Sequence, residues 1–553
     1  MADDQTRSSW TTVAAVYAAL VGYLVLRDLG ATAYDDSYFF KRFAINALEH
    51  GVFAWNVADG PVHGSTSQLY QWVATLVTAV THTHFVVAMR GLNAALLLAM
   101  GAVLARWCAR ACADPRTGAA LALLASASPL VLTAIVTGME TALALLLVAI
   151  TLTTCISPRP EASAVDPRLA AALCTLVYLT RPDATAIVVI AITVDHLRRR
   201  RSPVVFVVYL GAALTVTLLA LWQYYGTALP LSFYMKSMAL HSYDDETLRI
   251  GLSVKLAHFG ALLTFCGVFG WLAARKEALR SRTPTLALLT AAALFCSYHL
   301  VSTNEIMGYR ARFYVPAAVP LVMAAATAWR PGLITRRAGI IFVVTWAVLV
   351  TVGYGAGWLP THHGFFLARI PWPAYAGFGL ATGALLLSSD RTQVLVATAG
   401  LAGGLLGWKP PQTPVLRSDR EVMLQHSREV TTARGVFDVA RCLPPKSTVY
   451  HSEMGVTGLA LLRMRTVDLA GIVSREPGID RVPFQTYCSR DQPEAIFLPH
   501  RVYRALNDEV RQAPCMANYV QIVEQSSSPL HVRADLAPDF LGCATEVHMW
   551  RGP

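Results

Sequence analysis

The chain has 553 residues, 54% of them hydrophobic and only 15% charged, with a formal net charge of +11. A soluble globular protein carries about 25% charged and about 45–50% apolar residues. The composition therefore excludes a purely soluble enzyme, a disordered protein and a coiled coil, and a mean hydropathy of +0.44 points to a membrane protein. A basic balance can serve nucleic acid, but in a polytopic membrane protein it reflects Lys and Arg gathered on cytoplasmic loops, so no nucleic-acid partner is expected.

A membrane-spanning helix needs about 20 mostly apolar residues. In chain order such runs fall at 11–26, 85–107, 118–136, 141–155, 169–179, 184–197, 204–224, 252–273, 286–300, 314–328, 339–354, 375–387 and 394–406. The expectation is thus a polytopic α-helical protein of about thirteen spans. The first run lacks a small-residue cleavage site and reads as a retained span. The apolar stretch 69–80 is too short to cross a bilayer and suits an interfacial or re-entrant helix. With the N-terminus in the cytoplasm, the densest basic clusters all fall on inside loops: Arg106/Arg110/Arg116, Arg198–Arg201, Arg275/Lys276/Arg280/Arg282 and Arg330/Arg336/Arg337. That agrees with the positive-inside tendency. The odd span count leaves the C-terminus outside.

The domain reading is a membrane domain over 1–408, whose first external loop (27–82) carries juxtamembrane helices, and a soluble domain over 409–553. The linker between them is the Pro-rich stretch Lys409-Pro410-Pro411-Gln412-Thr413-Pro414. Beyond it, 434–442 predicts a helix, and 448–451, 466–469 and 495–498 predict short strands of an α/β domain. Cys442, Cys488, Cys515 and Cys543 lie in this domain. On an exported side they can form two disulfides in any of three pairings. No CxxC spacing points to zinc, and no metal site is expected.

The scarce polar residues of the membrane half fall at one surface in this topology. Charges at a membrane edge are costly and tend to be functional. Tyr34-Asp35-Asp36 follows the first span and opens an amphipathic helix with Phe39, Phe40, Phe43 and Leu48 on its apolar face; the plain alternative is helix capping. A turn-rich loop holds His63, Thr66 and their polar neighbours, though a lone His is more often structural. Glu140 begins the fourth span, where it also suits a helix N-terminus. Arg181 sits at membrane depth with Asp183 two residues on, and Asp183 can satisfy it internally. Tyr225 and Lys236 lie in one outside loop, and Glu305, Tyr309, Arg310 and Arg312 in another. Lys236, Arg310, Arg312 and Arg181 are candidate phosphate ligands, with headgroup contact or snorkelling the alternative. Carboxylates beside cations at one surface suit a lipid-phosphate substrate.

These residues resemble a family. The ordered set Asp35-Asp36, Gly64-Ser65-Thr66-Ser67, Thr137-Gly138-Met139-Glu140, Arg181-Pro182-Asp183, Tyr224-Tyr225-Gly226 with Pro230 and Lys236, Met307 with Arg310, Arg312 and Pro316, and Asp468-Leu469-Ala470-Gly471 is similar to that of the GT-C polyprenyl-phosphate-sugar glycosyltransferases. Within them it most resembles the terminal arabinofuranosyltransferases of mycobacterial-type cell walls. One departure is Thr303-Asn304-Glu305-Ile306-Met307, where that family shows Gly-Gly-Asp-x-Met. The resemblance implies a multi-pass enzyme of the bacterial cytoplasmic membrane with its C-terminal domain periplasmic. It implies transfer of a sugar, arabinofuranose or another such as mannose, from a polyprenyl-phosphate donor to a hydroxyl of a glycan or glycoprotein acceptor, with Asp35 or Asp36 as general base. No nucleotide or other cofactor is required, although paired carboxylates can hold a divalent cation. His63, Thr66, Glu140, Tyr225, Glu305 and Tyr309 are the candidate sugar or acceptor ligands. A flippase or transporter of lipid-linked sugar is the rival reading, disfavoured because no internal repeat is visible.

Overall fold

The structure is a computed structural model. It describes residues 35–158, 165–237, 245–274, 283–302, 311–330, 418–429, 435–500, 503–523 and 528–549, with scattered residues of 15–25, 340–348 and 378–382. Most of the expected spans 11–26, 339–354 and 375–387, and all of 394–406, lie outside the described residues, as do Glu305, Tyr309 and Arg310.

The membrane half is built from α1 (Asp35–His50), α2 (Gln68–Thr81), α3 (Phe85–Ala111), α4 (Pro115–Ser126), α5 (Pro129–Thr137), α6 (Thr141–Cys155), α7 (Pro167–Thr180), α8 (Thr185–Arg198), α9 (Val204–Tyr225), α10 (Leu231–Ser237), α11 (Asp245–Ala273), α12 (Thr283–Ser302) and α13 (Ala318–Ala328). Among the described residues, four helical stretches are long and apolar enough to cross a membrane: Phe85–Ala111, Val204–Tyr225, Lys255–Ala273 and Pro284–Val301. The chain is a multi-pass membrane protein. Where the sequence suggests one span over 118–136, α4 and α5 are bent by 57°. The cause is Pro129, which lacks an N–H and pushes Ser128 to an extended ψ of 140°, while the Ser128 hydroxyl accepts from Val131 N. Starts of α4 and α7 share one device: Asp114 and Asp166 accept backbone N–H groups of their first turns, with proline at the first helical position.

The residues form two compact units. The first comprises Met1–Leu29, Arg90–Leu214 and Ile250–Pro414. Its core is mainly apolar, with Leu97, Leu145, Ile187, Phe265, Phe295 and Met323 buried. In it α8 packs along α12, α12 along α13 and α13 along α4.

The second unit comprises Gly30–Met89, Thr215–Arg249 and Val415–Pro553. It is discontinuous in sequence, gathering α1 and α2, the α9–α10 corner and the C-terminal residues. The last of these form α14 (Asp419–Glu429), α15 (Val436–Cys442), β1 (Thr448–His451), α16 (Val456–Ala460), β2 (Arg465–Asp468), α17 (Phe484–Asp491), β3 (Ala495–Phe497), α18 (Arg504–Gln512), β4 (Tyr519–Val523), β5 (Leu530–Arg533) and α19 (Ala537–Met549). The sheet order is β2-β1-β3-β5-β4. β1 pairs in parallel with β2 and β3, and β5 antiparallel with β3 and β4. One face packs against α15 and α19 through Val439, Phe497 and Phe540; the other packs against α17 and α18 through Tyr487, Ile496 and Val510. Of the three possible pairings the structure has Cys442–Cys543 and Cys488–Cys515. One disulfide braces each face of the sheet.

α2 occupies the segment expected to lie along the surface. Its exposed side is apolar, with Trp72, Leu76 and Val80 four residues apart, while Gln68, Gln71 and Thr78 face inward and are buried. A stripe at that spacing lies on one helix face. Apolar residues outward and polar residues inward suit a helix against lipid.

Candidate functional site in two parts

In the second unit, Asp36 stands half-buried in the first turn of α1, immediately before buried Ser37 and Tyr38. The loop after α1 is fastened to it: Asn46 donates to the carbonyls of Ala54 and Trp55. Phe39 and Phe43 follow Asp36 at one and two turns, and both lie against Gly64. A Cβ on Gly64 would fall 2.8 Å from Val473 Cγ1 and 3.1 Å from Phe43. Only glycine lets the His63–Ser67 loop lie this close to α1 and to the 470–473 turn.

His63 is 2% exposed. Its ring stacks on Tyr225 with centroids 4.8 Å apart, and its Nδ1 lies 3.1 Å from the Thr227 carbonyl. That carbonyl can only accept, so Nδ1 carries the proton and Nε2 is left as an acceptor. Leu231 N, at the start of α10, donates to the His63 carbonyl, and the Tyr225 hydroxyl donates to Gln68 Oε1 at 2.9 Å. Tyr225 and His63 therefore lock the α9–α10 corner onto the first loop. Lys236 lies on α10, and its neighbour Met235 packs by sulfur against Gly471. Thr66 is exposed at the tip of the loop.

Burial lowers the His63 pKa from 6.5 to about 4. The folded state thus holds a neutral imidazole that the unfolded chain protonates first. Its contribution to stability is full above pH 6.5 and is lost as pH falls toward 4. The shift is equivalent to about 3 kcal/mol. Denaturant titrations at pH 7 and pH 4.5 should show that His63→Gln removes a loss of this order on acidification, relative to the wild type.

The turn after β2 is held by Asp468, which is fully buried. Its carboxylate accepts from the backbone N–H of Ala470, Ile472 and Val473 at 2.9, 2.5 and 3.0 Å. Burial pushes its pKa up to about 7 against the pull of these donors. Gly471 adopts φ +76°, and a Cβ there would meet Gly478 Cα at 2.5 Å. The Asp-x-x-Gly element is thus a buried pin. It shapes the surface on which Gly64 and Met235 rest, and its groups are not themselves exposed.

The first unit holds the remaining described candidates. Glu140 caps the start of α6 without a side-chain cap bond and is 7% exposed. Its turn is fastened by buried Asn93, which donates to the carbonyls of Ala134 and Met139. Sequence reasoning passes over Asn93, since one Asn inside an apolar helix carries no pattern. Arg181 binds Asp183 with both Nε and Nη2 at 3.1 and 2.5 Å, and donates from Nη1 to the Arg312 carbonyl at 2.8 Å. His299 Nε2 lies 3.3 Å from the same Asp183 oxygen. The Arg181 and Arg312 guanidinium groups both lie over the Phe313 ring, at 5.5 and 5.4 Å. Arg181 is thus braced internally, while Arg312 is half-buried beside it. Among the described residues no three His, Cys, Asp or Glu side chains gather into a metal-ligand set.

No protein-family model matches the chain, and no curated protein matches it. Solved structures do. ArnT from Cupriavidus metallidurans in the apo state superposes with a TM-score of 0.56 at 15% identity, covering 96% of this chain and 99% of that one. The chain shares the fold of this ArnT. The same ArnT bound to undecaprenyl phosphate also gives 0.56 at 15% identity, over 95% and 98% of the two chains. The archaeal oligosaccharyltransferase AglB from Archaeoglobus fulgidus, in complex with an inhibitory peptide and a dolichol-phosphate, gives a TM-score of 0.48 at 12% identity over 93% and 73%.

Proposed function

We propose that this protein is a membrane glycosyltransferase that moves a sugar from a polyprenyl-phosphate donor to a hydroxyl of an extracytoplasmic glycan or glycoprotein. The observation that carries this reading is the fold shared end to end with ArnT, one structure of which is bound to undecaprenyl phosphate. In the reaction, Asp36 or Asp35 takes the proton of the acceptor hydroxyl as its oxygen bonds to the anomeric carbon. The bond from that carbon to the phosphate oxygen breaks, and polyprenyl phosphate leaves with its charge neutralised by Lys236. His63, with Nε2 as an acceptor, is suited to receive a hydrogen bond from a sugar hydroxyl. Arabinofuranose is the sugar favoured by the ordered motifs. The C-terminal domain lies on the exported side; its two disulfides favour an oxidising compartment.

Purified protein incubated with decaprenyl-phosphoryl arabinofuranose and an oligosaccharide acceptor should release one free polyprenyl phosphate per glycoside formed. A transporter would release none. Transfer of mannose alone from the corresponding donor would overturn the sugar and leave the reaction class standing.

A further inference from the structure

α1 carries adjacent cations, Lys41 and Arg42, and both are buried, at 6% and 1% exposure. Burying a charge is costly unless every donor is satisfied. Lys41 forms an ion pair with Asp419, at the start of α14. The same Asp419 carboxylate accepts the backbone N–H groups of Phe85 and Val86, each at 3.0 Å, which begin α3. Arg42 has no carboxylate among its described hydrogen-bond partners. Its Nε donates to Trp55 O at 2.8 Å, and its Nη2 to Asn56 Oδ1 and Met464 O at 2.9 and 3.2 Å. Its Nη1 donates to the carbonyls of Gly458 and Leu461 and to Thr466 Oγ1. The guanidinium also lies 4.6 Å from the Trp55 ring centroid. Asn56 closes the cage by accepting from Thr466 N and donating to Thr466 O.

Neighbouring positions on a helix point in different directions, about 100° apart. Two adjacent buried cations that each reach the C-terminal segment fix both the roll and the slide of α1. Asp36 lies six residues before Arg42, about 9 Å along the same rigid helix. We propose that Arg42, seated in the carbonyl cage of residues 458–466, is a positioning residue through which the C-terminal domain sets the placement of Asp36. This rests on the proposed transfer reaction, and it makes the C-terminal domain part of what positions the reacting groups.

The test uses the full-length protein with Arg42→Gln, Arg42→Lys and, acting from the other side of the cage, Thr466→Val. A misplacement of about 1 Å can cost on the order of 100-fold in rate. For Arg42→Gln we expect kcat to fall about 30- to 100-fold. The donor KM and the stoichiometry of polyprenyl-phosphate binding should stay within about 2-fold of the wild type. Arg42→Lys should recover part of kcat, and Thr466→Val should lose about 3- to 5-fold. Amide hydrogen exchange should speed up across residues 36–47 while β1 and β3 stay protected. Unchanged kcat in folded Arg42→Gln, or a kcat loss matched by loss of binding stoichiometry, overturns the proposal. If Arg42→Gln does not fold, an unchanged kcat in Thr466→Val does the same. If the wild type transfers no sugar, the transferase reading fails, while hydrogen exchange on α1 still decides whether Arg42 holds that helix.

Discussion

Replacing the proposed general base is expected to stop transfer while leaving donor binding in place. Of Asp35→Ala and Asp36→Ala, at least one should lower kcat by about 10²- to 10⁴-fold, the usual contribution of a positioned acid or base. The corresponding Asn variant should fall as far, because it keeps the shape and loses the proton acceptor. Polyprenyl-phosphate affinity should change little, since the carboxylate serves the acceptor and not the leaving group. The readout is kcat and donor Kd on the same preparation. Near-normal transfer in both Ala variants would remove the Asp pair from the mechanism. A structural role for Asp36 would show as lost stability and lost donor binding together.

The second large effect concerns the disulfides. Cys442–Cys543 closes 101 residues and Cys488–Cys515 closes 27. Loop-closure entropy alone gives about 4.7 kcal/mol for the first and about 3.5 kcal/mol for the second. Cys442→Ser with Cys543→Ser should therefore lower the urea midpoint of the C-terminal residues more than Cys488→Ser with Cys515→Ser. Reductant should unfold them in wild type, and adding it to the double variants should bring only the remaining bond's loss. Equal effects from both pairs would show that the chain-entropy account fails here.

Much of the fold is legible from residue pattern. Apolar runs locate most of the described helices, and the short run 69–80 is a helix too, α2, with Trp72, Leu76 and Val80 outward. The strand at 448–451 is readable because Thr-Val-Tyr-His is flanked by turn residues. β4 and β5 are missed: β4 is an edge strand whose central residues Val520 and Gln521 are exposed, so no buried alternation marks it. The α4–α5 break was available in Pro129, but an otherwise continuous apolar run masked it. For the candidate site, the Asp pair, His63 and Tyr225 stand out as polar residues in an apolar chain. Arg42 does not, because three of its acceptors are the backbone carbonyls of Gly458, Leu461 and Met464, more than 400 residues away, and carbonyls leave no trace in residue identity. The same holds for Asp468, whose motif is readable but whose task, pinning a turn by three backbone N–H groups, is not.

The second unit is assembled from three stretches that a ribosome delivers far apart: 30–89 early, 215–249 midway and 415–553 last. Arg42 and Lys41 are inserted hundreds of residues before the carbonyl cage and Asp419 that receive them. Until the final stretch arrives, Lys41 lacks Asp419, Arg42 has only its Trp55 and Asn56 acceptors, and the first N–H groups of α3 lack the Asp419 carboxylate. The seating of α1 is therefore completed only after the stretch carrying Asp419 and residues 458–466 has been made. A chain cut short before Gly458 lacks every acceptor that the C-terminal stretch offers Arg42 Nη1, so under the proposed function it has no means of setting Asp36.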